Sequence, residues 1–154
     1  MKKVLMVCLG NICRSPVAEG VLRYKSNEYN LPIIVDSAGT SDFHIGESPD
    51  KRSQENALKH GVDISSLRGR QFCVSDFDDF DLIYCMDSSN YQNVLRLARN
   101  ENDKKKVDLL LNALNLGSNM SVPDPYYGDG DGFERVFQLI DGACEALIQK
   151  IIRD

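Results

Sequence analysis

The sequence VCLGNICRSP, residues 7–16, links a short apolar run to the start of a predicted helix. The apolar run is typical of a buried strand, which we place at residues 3–9. Pro16 suits the first position of a helix, because its missing N–H group would have no intrahelical partner there. Gly10 and Asn11 lie between, and both residue types tolerate the left-handed backbone that a concave turn needs. The pattern predicts a strand, a tight loop and a helix in direct succession.

The predicted loop carries the groups of a phosphate site. A strand-to-helix loop presents several backbone N–H groups to one point, and together with the helix dipole they bind anions. Arg14 adds a planar fork that can grip two phosphate oxygens. The same positive field would stabilise a thiolate at Cys8. We therefore expect this loop to hold a phosphate group and to aim an ionised sulfur at it.

Other interpretations of the loop are open from the sequence. Cys8 could be a purely structural residue, since buried cysteines are common. The nucleotide-binding loop of the pattern G-x-x-x-x-G-K-[ST] is not matched by residues 10–15. The C-x5-R-[ST] spacing of Cys8, Arg14 and Ser15 instead places a nucleophile and an anion clamp around one loop.

The rest of the chain alternates strand and helix patterns. Apolar, β-branched runs predict further strands at residues 33–35, 80–86 and 106–111. Helical spacing predicts helices at residues 16–25, 50–60, 91–98 and 133–152. Residues 41–50 and 115–132 are predicted to be loops. This alternation predicts one α/β domain, residues 1–154, with a four-stranded parallel sheet, helices on both faces and the phosphate-binding loop after strand 1.

Three polar segments come directly after predicted strands. They are residues 8–15, residues 37–40 and the pair Met86-Asp87, and the loop around Asp124 comes after the fourth predicted strand. Ligands of parallel sheets bind at the carboxyl ends of the strands. The sequence therefore predicts that these segments converge on one site.

The loop VPDPYYGDGDG contains the carboxylate best suited to proton transfer. Asp124 lies between two prolines, which restrict the backbone and could fix the carboxylate in place. The two tyrosines after it could wall a pocket for an aromatic ring. Neither His44 nor His60 lies beside a strand-end motif, so we expect each to have a satisfied surface or core role. The acidic residues after the tyrosines do not match the calcium-binding loop, and no His/Cys pair has zinc spacing.

Composition bounds the class of protein. The 154 residues are 42% hydrophobic and 27% charged, with a net charge of −5, which argues against a nucleic-acid binder. No apolar run is long enough to span a bilayer. The five cysteines are an odd number without repeating spacing, so we expect free thiols in a reducing cytoplasm.

Four motifs together closely resemble the low-molecular-weight protein tyrosine phosphatases. They are VCLGNICRSPVAEG, DSAGTSD, FDLIYCMDSSN and VPDPYYG, and the match that includes them extends over nearly the whole chain. The resemblance implies hydrolysis of phosphotyrosine and aryl phosphates through a phosphocysteine, without a metal or organic cofactor. It implies phosphotyrosine-containing proteins as substrates, with no nucleic-acid partner and no membrane insertion, and we expect a monomer or weak dimer.

The resemblance also implies a role for each matching residue. Cys8 would be the nucleophile, Arg14 would bind the phosphoryl oxygens, and Asp124 would be the general acid and then the base. Ser15 would donate a hydrogen bond to the sulfur, Asn11 and Ser37 would hold the loop, and Asp87 would brace the site. Substrate contacts would come from the loop and from three aromatic residues: Leu9, Gly10, Asn11, Ile12, Cys13, Ser15, Phe43, Tyr126 and Tyr127. Cys13 could also form a reversible disulfide with an oxidised Cys8, or be a buried apolar residue only.

Three alternatives share this scaffold. Thioredoxin-linked arsenate reductases resemble it but use two further cysteines close together, whereas Cys73 and Cys85 are well separated in sequence. Protein-arginine phosphatases resemble it but carry threonine where this chain has Ile12. A phosphotyrosine-binding module without activity is the third, and the presence of Cys8, Arg14 and Asp124 argues against it.

Overall fold

A computed structural model describes residues 1–126 and 130–154 of the chain. The strands are β1 (Lys2–Cys8), β2 (Ile33–Gly39), β3 (Leu82–Cys85) and β4 (Val107–Leu109). The helices are α1 (Arg14–Glu28), α2 (Lys51–Lys59), α3 (Asp76–Asp79), α4 (Ser88–Arg96), α5 (Glu101–Lys105) and α6 (Gly130–Arg153), and a 3₁₀ turn spans Leu110–Ala113. None of the described helices is both long enough and apolar enough to cross a membrane.

The four strands form one parallel sheet in the order β2-β1-β3-β4. The predicted fold class, a four-stranded parallel sheet with helices on both faces, is confirmed. β1 alternates between two apolar cores, because successive side chains of a strand point to opposite faces. Val4 and Met6 pack in the core under α1 and α6, whereas Leu5 and Val7 pack in the core under α3 and α4.

The strand order places the loop after β1 in a crevice of the sheet. The chain passes from β1 to β2 on one side, and then crosses back to β3 on the other side of β1. The carboxyl end of β1 is therefore the point at which the connections diverge, where parallel sheets bind their ligands. Cys8 is the last residue of β1 and pairs in register with Gly39, the last residue of β2.

The first helix begins earlier than predicted. α1 starts at Arg14 and ends at Glu28, so Pro16 is its third residue and not its first. Proline is tolerated there, because the first four N–H groups of a helix have no intrahelical acceptor. The consequence is that Arg14 and Ser15 belong to a rigid helix and not to the loop.

The other differences lie at short elements and at caps. α3 and α5 were not predicted, because helices of four and five residues are too short to show an apolar period. α4 begins at Ser88, three residues before the prediction, since the Asp87 side chain caps it by accepting from Asn90 N–H. β2 continues to Gly39, and β4 ends at Leu109 where the 3₁₀ turn begins. α6 starts at Gly130, inside the predicted loop.

Two helical glycines differ in the room around them. A Cβ atom at Gly20 of α1 would lie 2.5 Å from Ile64 Cγ2 and 3.0 Å from Val62 Cγ1, two buried β-branched side chains. A Cβ atom at Gly142 of α6 would lie at an ordinary 3.7 Å from Leu114 Cδ2. Gly20 therefore lets α1 approach the segment after α2 closely, whereas Gly142 has no such function.

We predict opposite effects of alanine at these two positions. Gly20→Ala overpacks the core and should lower the free energy of unfolding by about 1–3 kcal/mol. Gly142→Ala has room for its methyl group and should raise it by about 0.5–1 kcal/mol, the usual difference in helix propensity. Urea denaturation of both variants measures this, and equal effects at the two sites would contradict the packing argument.

Candidate active site

Backbone hydrogen bonds from neighbouring segments hold the loop after β1. The carbonyl groups of Cys8 and Leu9 accept from Thr40 N–H and Ser41 N–H, both at 2.9 Å. The carbonyl of Ile12 accepts from Asp50 N–H at 2.8 Å. These bonds to neighbouring segments hold the backbone of the loop in one conformation. Inside the loop, Asn11 N–H lies 3.3 Å from the Cys8 sulfur.

Asn11 is the residue that closes the loop. It adopts the left-handed conformation with φ +59°, as predicted. Gly10 also tolerates that conformation but does not adopt it, because the positive-φ positions include Asn11 and not Gly10. Gly10 instead leaves room for a neighbour, since a Cβ atom there would lie 2.9 Å from His44 Cδ2 and the His44 ring would have to shift.

The buried Asn11 side chain joins the loop to its surroundings. Its Nδ2 donates to Ser15 Oγ at 2.7 Å and to Ser37 Oγ at 2.9 Å. Its Oδ1 accepts from Arg70 N–H at 3.0 Å. Ser37 Oγ in turn donates to Glu19 Oε1 at 2.6 Å. Asn11 therefore connects β2, α1 and the segment before α3 through one amide.

Ser15 is placed to donate a hydrogen bond to Cys8. The two side chains are 2.9 Å apart, Oγ to Sγ, and both are buried. Ser15 Oγ accepts from Asn11, and its own hydrogen has two acceptors within reach, the sulfur at 2.9 Å and the more distant Ala38 carbonyl at 3.5 Å. A thiolate at Cys8 would thus have a hydroxyl donor and a backbone N–H donor.

Arg14 is almost completely buried, with 2% of its side chain exposed. Its Nη1 donates to Asp87 Oδ2 at 2.7 Å and to the Val122 carbonyl at 3.0 Å, and its Nη2 lies 3.5 Å from Asp124 Oδ2. Burial alone would lower the pKa of Arg14, but the negative charge at Cys8 and the carboxylates of Asp87 and Asp124 outweigh it and raise that pKa. The guanidinium therefore stays charged although it is buried.

Asp124 lies at the edge of the same pocket. Its side chain is one-third exposed, and its Oδ1 accepts from Tyr126 N–H at 3.0 Å. Two residues earlier, Val122 N–H donates to the Met86 carbonyl at 2.7 Å, which anchors the loop to the end of β3. The carboxylate is close to Arg14 and open to solvent, as a group that exchanges protons needs to be.

One pocket brings the predicted catalytic side chains together. It is lined by Cys8, Leu9, Gly10, Ile12, Cys13, Arg14, Phe43, His44, Asp124 and Tyr126. The Cys8 sulfur is buried, whereas Phe43 is 73% exposed and forms part of the rim. The pocket therefore has a polar, cationic floor and partly apolar walls.

Four of the predicted site residues lie behind the pocket. The side chains of Asn11, Ser15, Ser37 and Asp87 contact the loop and Arg14 but do not line the pocket. Asn11 and Ser15, predicted as substrate contacts, thus have side chains in supporting positions. Tyr127 lies outside the residues that the structure describes.

Sequence reasoning missed His44. It lines the pocket beside Tyr126, with ring centroids 6.4 Å apart, and its Nδ1 lies 3.0 Å from Glu47 Oε2. The sequence located it only in the loop of residues 41–50, next to Phe43. His60 does have the expected structural role, since its ring stacks on Phe137 with centroids 4.1 Å apart.

All five cysteines are free thiols. Cys13 is buried in the pocket wall beside Ile12 and Phe133, and burial, followed by the nearby charge of Asp50, raises the pKa of its thiol to about 12. Cys85 and Cys144 are fully buried, and burial raises their pKa values further. Among residues 1–126 and 130–154, no three His, Cys, Asp or Glu side chains are grouped so that they could hold a metal ion.

Comparison with known sequences gives one consistent result. The family model "Low molecular weight phosphotyrosine protein phosphatase" matches residues 3–154. The human low molecular weight phosphotyrosine protein phosphatase is 40% identical over 151 residues, which are 97% of this chain and 95% of the human protein.

Solved structures agree with the sequences. A protein tyrosine phosphatase from Entamoeba histolytica superposes with a TM-score of 0.93 at 39% identity, covering 99% of this chain and 98% of the other. An arginine phosphatase from Drosophila superposes with a TM-score of 0.90 at 34% identity, covering 98% of each chain. The scaffold is thus shared by proteins described as acting on two different phosphorylated side chains.

The hydrogen bonds of Asn11 predict a stability difference between two left-handed asparagines. Asn11→Ala loses the amide bonds and the left-handed preference, and should lower the free energy of unfolding by about 2–4 kcal/mol. Asn30 has φ +54° and makes no side-chain hydrogen bond within the described part of the chain, so Asn30→Ala should cost only about 1 kcal/mol. Thermal unfolding of both variants measures the difference, and equal losses would show that the amide bonds contribute nothing.

Proposed function

Because the chain belongs to the low molecular weight phosphotyrosine protein phosphatase family, we propose that it hydrolyses phosphotyrosine and aryl phosphates through a phosphocysteine on Cys8. The observation that carries this proposal is the convergence of the Cys8 sulfur, the Arg14 guanidinium and the Asp124 carboxylate on one pocket. Nucleophile, anion clamp and proton donor are the three parts that phosphoryl transfer to a side chain requires.

In the first step, the Cys8 thiolate attacks phosphorus in line with the ester oxygen. The P–O bond breaks, and the leaving oxygen takes the proton of the Asp124 carboxylic acid, so the phenol departs neutral. Arg14 and backbone N–H groups of the loop stabilise the negative charge on the three equatorial oxygens. The product of this step is a phosphate group bonded to sulfur.

In the second step, Asp124 is a carboxylate and accepts a proton from water, whose oxygen attacks phosphorus. The S–P bond breaks, inorganic phosphate leaves, and the electron pair returns to the Cys8 sulfur. Ser15 stabilises this departing thiolate, because its hydroxyl lies 2.9 Å from the sulfur, closer than to the Ala38 carbonyl at 3.5 Å. The same carboxylate thus acts as acid and then as base.

The pocket walls favour an aromatic ester over a guanidinium phosphate. Ile12, Phe43 and Tyr126 line the walls, and none of them carries a charge that would pair with a guanidinium. The Drosophila relative described as an arginine phosphatase makes phosphoarginine a second candidate substrate. Ile12 is the feature that argues against it, because a bulky apolar side chain in the wall offers no hydrogen bond to the polar guanidino nitrogens.

The sheet geometry argues against the arsenate reductase alternative. Cys85 pairs in register with Val7, and its side chain lies in the core under α3 and α4. Cys8 belongs to the other core, on the opposite face of the sheet. A fully buried thiol across the sheet cannot attack an oxidised Cys8, so Cys85 does not fit a redox relay.

We further propose that phosphotyrosine-containing proteins are the substrates and that the chain works in the cytoplasm as a monomer or weak dimer. The family supports phosphoprotein substrates. The free state of all five thiols supports a reducing compartment.

Replacement of the nucleophile tests the proposed function directly. Cys8→Ser should reduce hydrolysis of p-nitrophenyl phosphate and of a phosphotyrosine peptide by at least about 10³-fold, because a serine hydroxyl is not ionised at neutral pH. Phosphate release measures turnover, and a phosphoarginine peptide is assayed in parallel. Faster turnover of phosphoarginine than of phosphotyrosine by the unaltered chain would reverse the assignment of substrate.

Loss of the proton donor should depend on the leaving group. Asp124→Asn should lower kcat/KM for phenyl phosphate by about 10²–10⁴-fold, the usual contribution of general acid catalysis. The loss for p-nitrophenyl phosphate should be smaller, since nitrophenolate leaves without a proton. Steady-state kinetics with a series of phenols measures this slope, and an equal loss across the series would contradict the acid role.

We also propose that Cys13 forms a reversible disulfide with an oxidised Cys8, and peroxide treatment tests this role. Peroxide converts the Cys8 thiolate to a sulfenic acid, and the Cys13 thiol then condenses with it, forming a disulfide and releasing water. Dithiothreitol should therefore restore activity of the oxidised chain, whereas oxidised Cys13→Ser should recover less than about half as much because Cys8 proceeds to irreversible acids. Cys73→Ser, at an exposed cysteine, is the matched control. Equal recovery of the unaltered chain, Cys13→Ser and Cys73→Ser would show that Cys13 has no redox role.

A further inference from the structure

Arg52 joins the segment before α2 to the loop that carries Asp124. Its Nε and Nη2 donate to the two oxygens of Asp50 at 3.1 and 2.9 Å, and Nη2 also donates to the Tyr126 carbonyl at 3.0 Å. Its guanidinium carbon lies 4.7 Å from the centre of the Phe133 ring and 5.6 Å from that of Tyr126. Hydrogen bonds thus hold the nitrogens at the edge of the guanidinium, and the two aromatic rings contact its face.

The other end of this connection is the phosphate loop itself. Asp50 N–H donates to the Ile12 carbonyl at 2.8 Å, and Asp50 caps α2 by accepting from Arg52 N–H at 2.8 Å. Phe133, which lies under Arg52, packs with Ile12 and Cys13 in a small buried cluster. Arg52 therefore rests on a platform that belongs to the loop around the sulfur.

Asp124 lies midway between two carbonyls that arginines hold. The carbonyl of Val122, two residues before it, accepts from Arg14, and the carbonyl of Tyr126, two residues after it, accepts from Arg52. Between these anchors, Asp124 Oδ1 accepts from Tyr126 N–H. The backbone of Tyr126 thus links Arg52 to the Asp124 carboxylate, because its carbonyl accepts from Arg52 and its N–H group donates to Asp124.

From this geometry we infer that Arg52 is a positioning residue that sets the place of the Asp124 carboxylate relative to the Cys8 sulfur. The inference rests on the proposed function, in which Asp124 protonates the leaving oxygen. Proton transfer depends steeply on position, since a displacement of about 1 Å can cost about 10²-fold in rate. Loss of Arg52 releases one of the two carbonyl anchors and leaves the phosphate clamp around Arg14 in place.

Arg52→Met tests the inference, because methionine keeps an apolar stem over Phe133 and removes the guanidinium. We expect kcat/KM to fall about tenfold or more for phenyl phosphate and less than about threefold for p-nitrophenyl phosphate. Arg52→Lys keeps the positive charge but not the planar guanidinium, and its kcat/KM for phenyl phosphate should lie between those of Arg52→Met and the unaltered chain. Arg96→Met, at an exposed arginine of α4 that bonds Asn93, is the control and should match the unaltered chain.

A double variant separates positioning from a general loss of structure. If Arg52 acts through Asp124, Arg52→Met should change kcat/KM by less than about twofold in the Asp124→Asn background. An equal loss for both esters in Arg52→Met, or additive losses in the double variant, would overturn the inference while leaving the acid role of Asp124 intact. If Asp124→Asn itself shows no leaving-group dependence, the acid assignment fails and the inference fails with it. Arg52→Lys provides the same comparisons if Arg52→Met does not fold.

Discussion

A buried guanidinium is the constraint on which the rest of this structure depends. Removing a cation from water costs several kcal/mol unless charges and hydrogen bonds compensate for it. Arg14 is compensated by Asp87 after β3, by the Val122 carbonyl and by Asp124. These groups come from parts of the chain that are far apart in sequence, so one charge draws the carboxyl ends of the strands and the late loop to the same point. Compensation of the buried Arg14 charge thus brings the residues of the site together.

Features that depend on local pattern could be predicted from the sequence. The strand, loop and helix at residues 3–25, the left-handed Asn11 and the parallel sheet all came from apolar runs, residue type and alternation. The boundary of α1 was misplaced because the helix rule for Pro16 allows more than one position in the first turn. α3 and α5 were missed because a single turn of helix has no period to detect.

Residues whose function depends on long-range contacts could not be predicted in this way. His44 and Arg52 belong to no recognisable motif in the sequence, and only the folded chain places one in the pocket and the other against Tyr126. Gly39 is similar: a Cβ atom there would lie 2.7 Å from the Leu9 carbonyl oxygen, which is backbone and has little freedom to move. A glycine at the end of a strand has no local signature for such an approach. The sequence therefore identifies chemistry more readily than it identifies the contacts that hold that chemistry in place.

The paired carbonyl anchors on either side of Asp124 restrict how this architecture can vary. The Val122 and Tyr126 carbonyls are held by two arginines of different helices, Arg14 of α1 and Arg52 of α2. An insertion between residues 122 and 126 would have to break one of these contacts or bulge away from the pocket. The two hydrogen bonds therefore restrict the length of this segment. The rim is held at its backbone too, since Ser41 N–H donates to the Leu9 carbonyl and Gly46 N–H to the Gly69 carbonyl, but the Phe43 side chain between these bonds is 73% exposed. Substrate preference can therefore diverge at the rim by substitution of an exposed side chain, while the proton donor keeps its place.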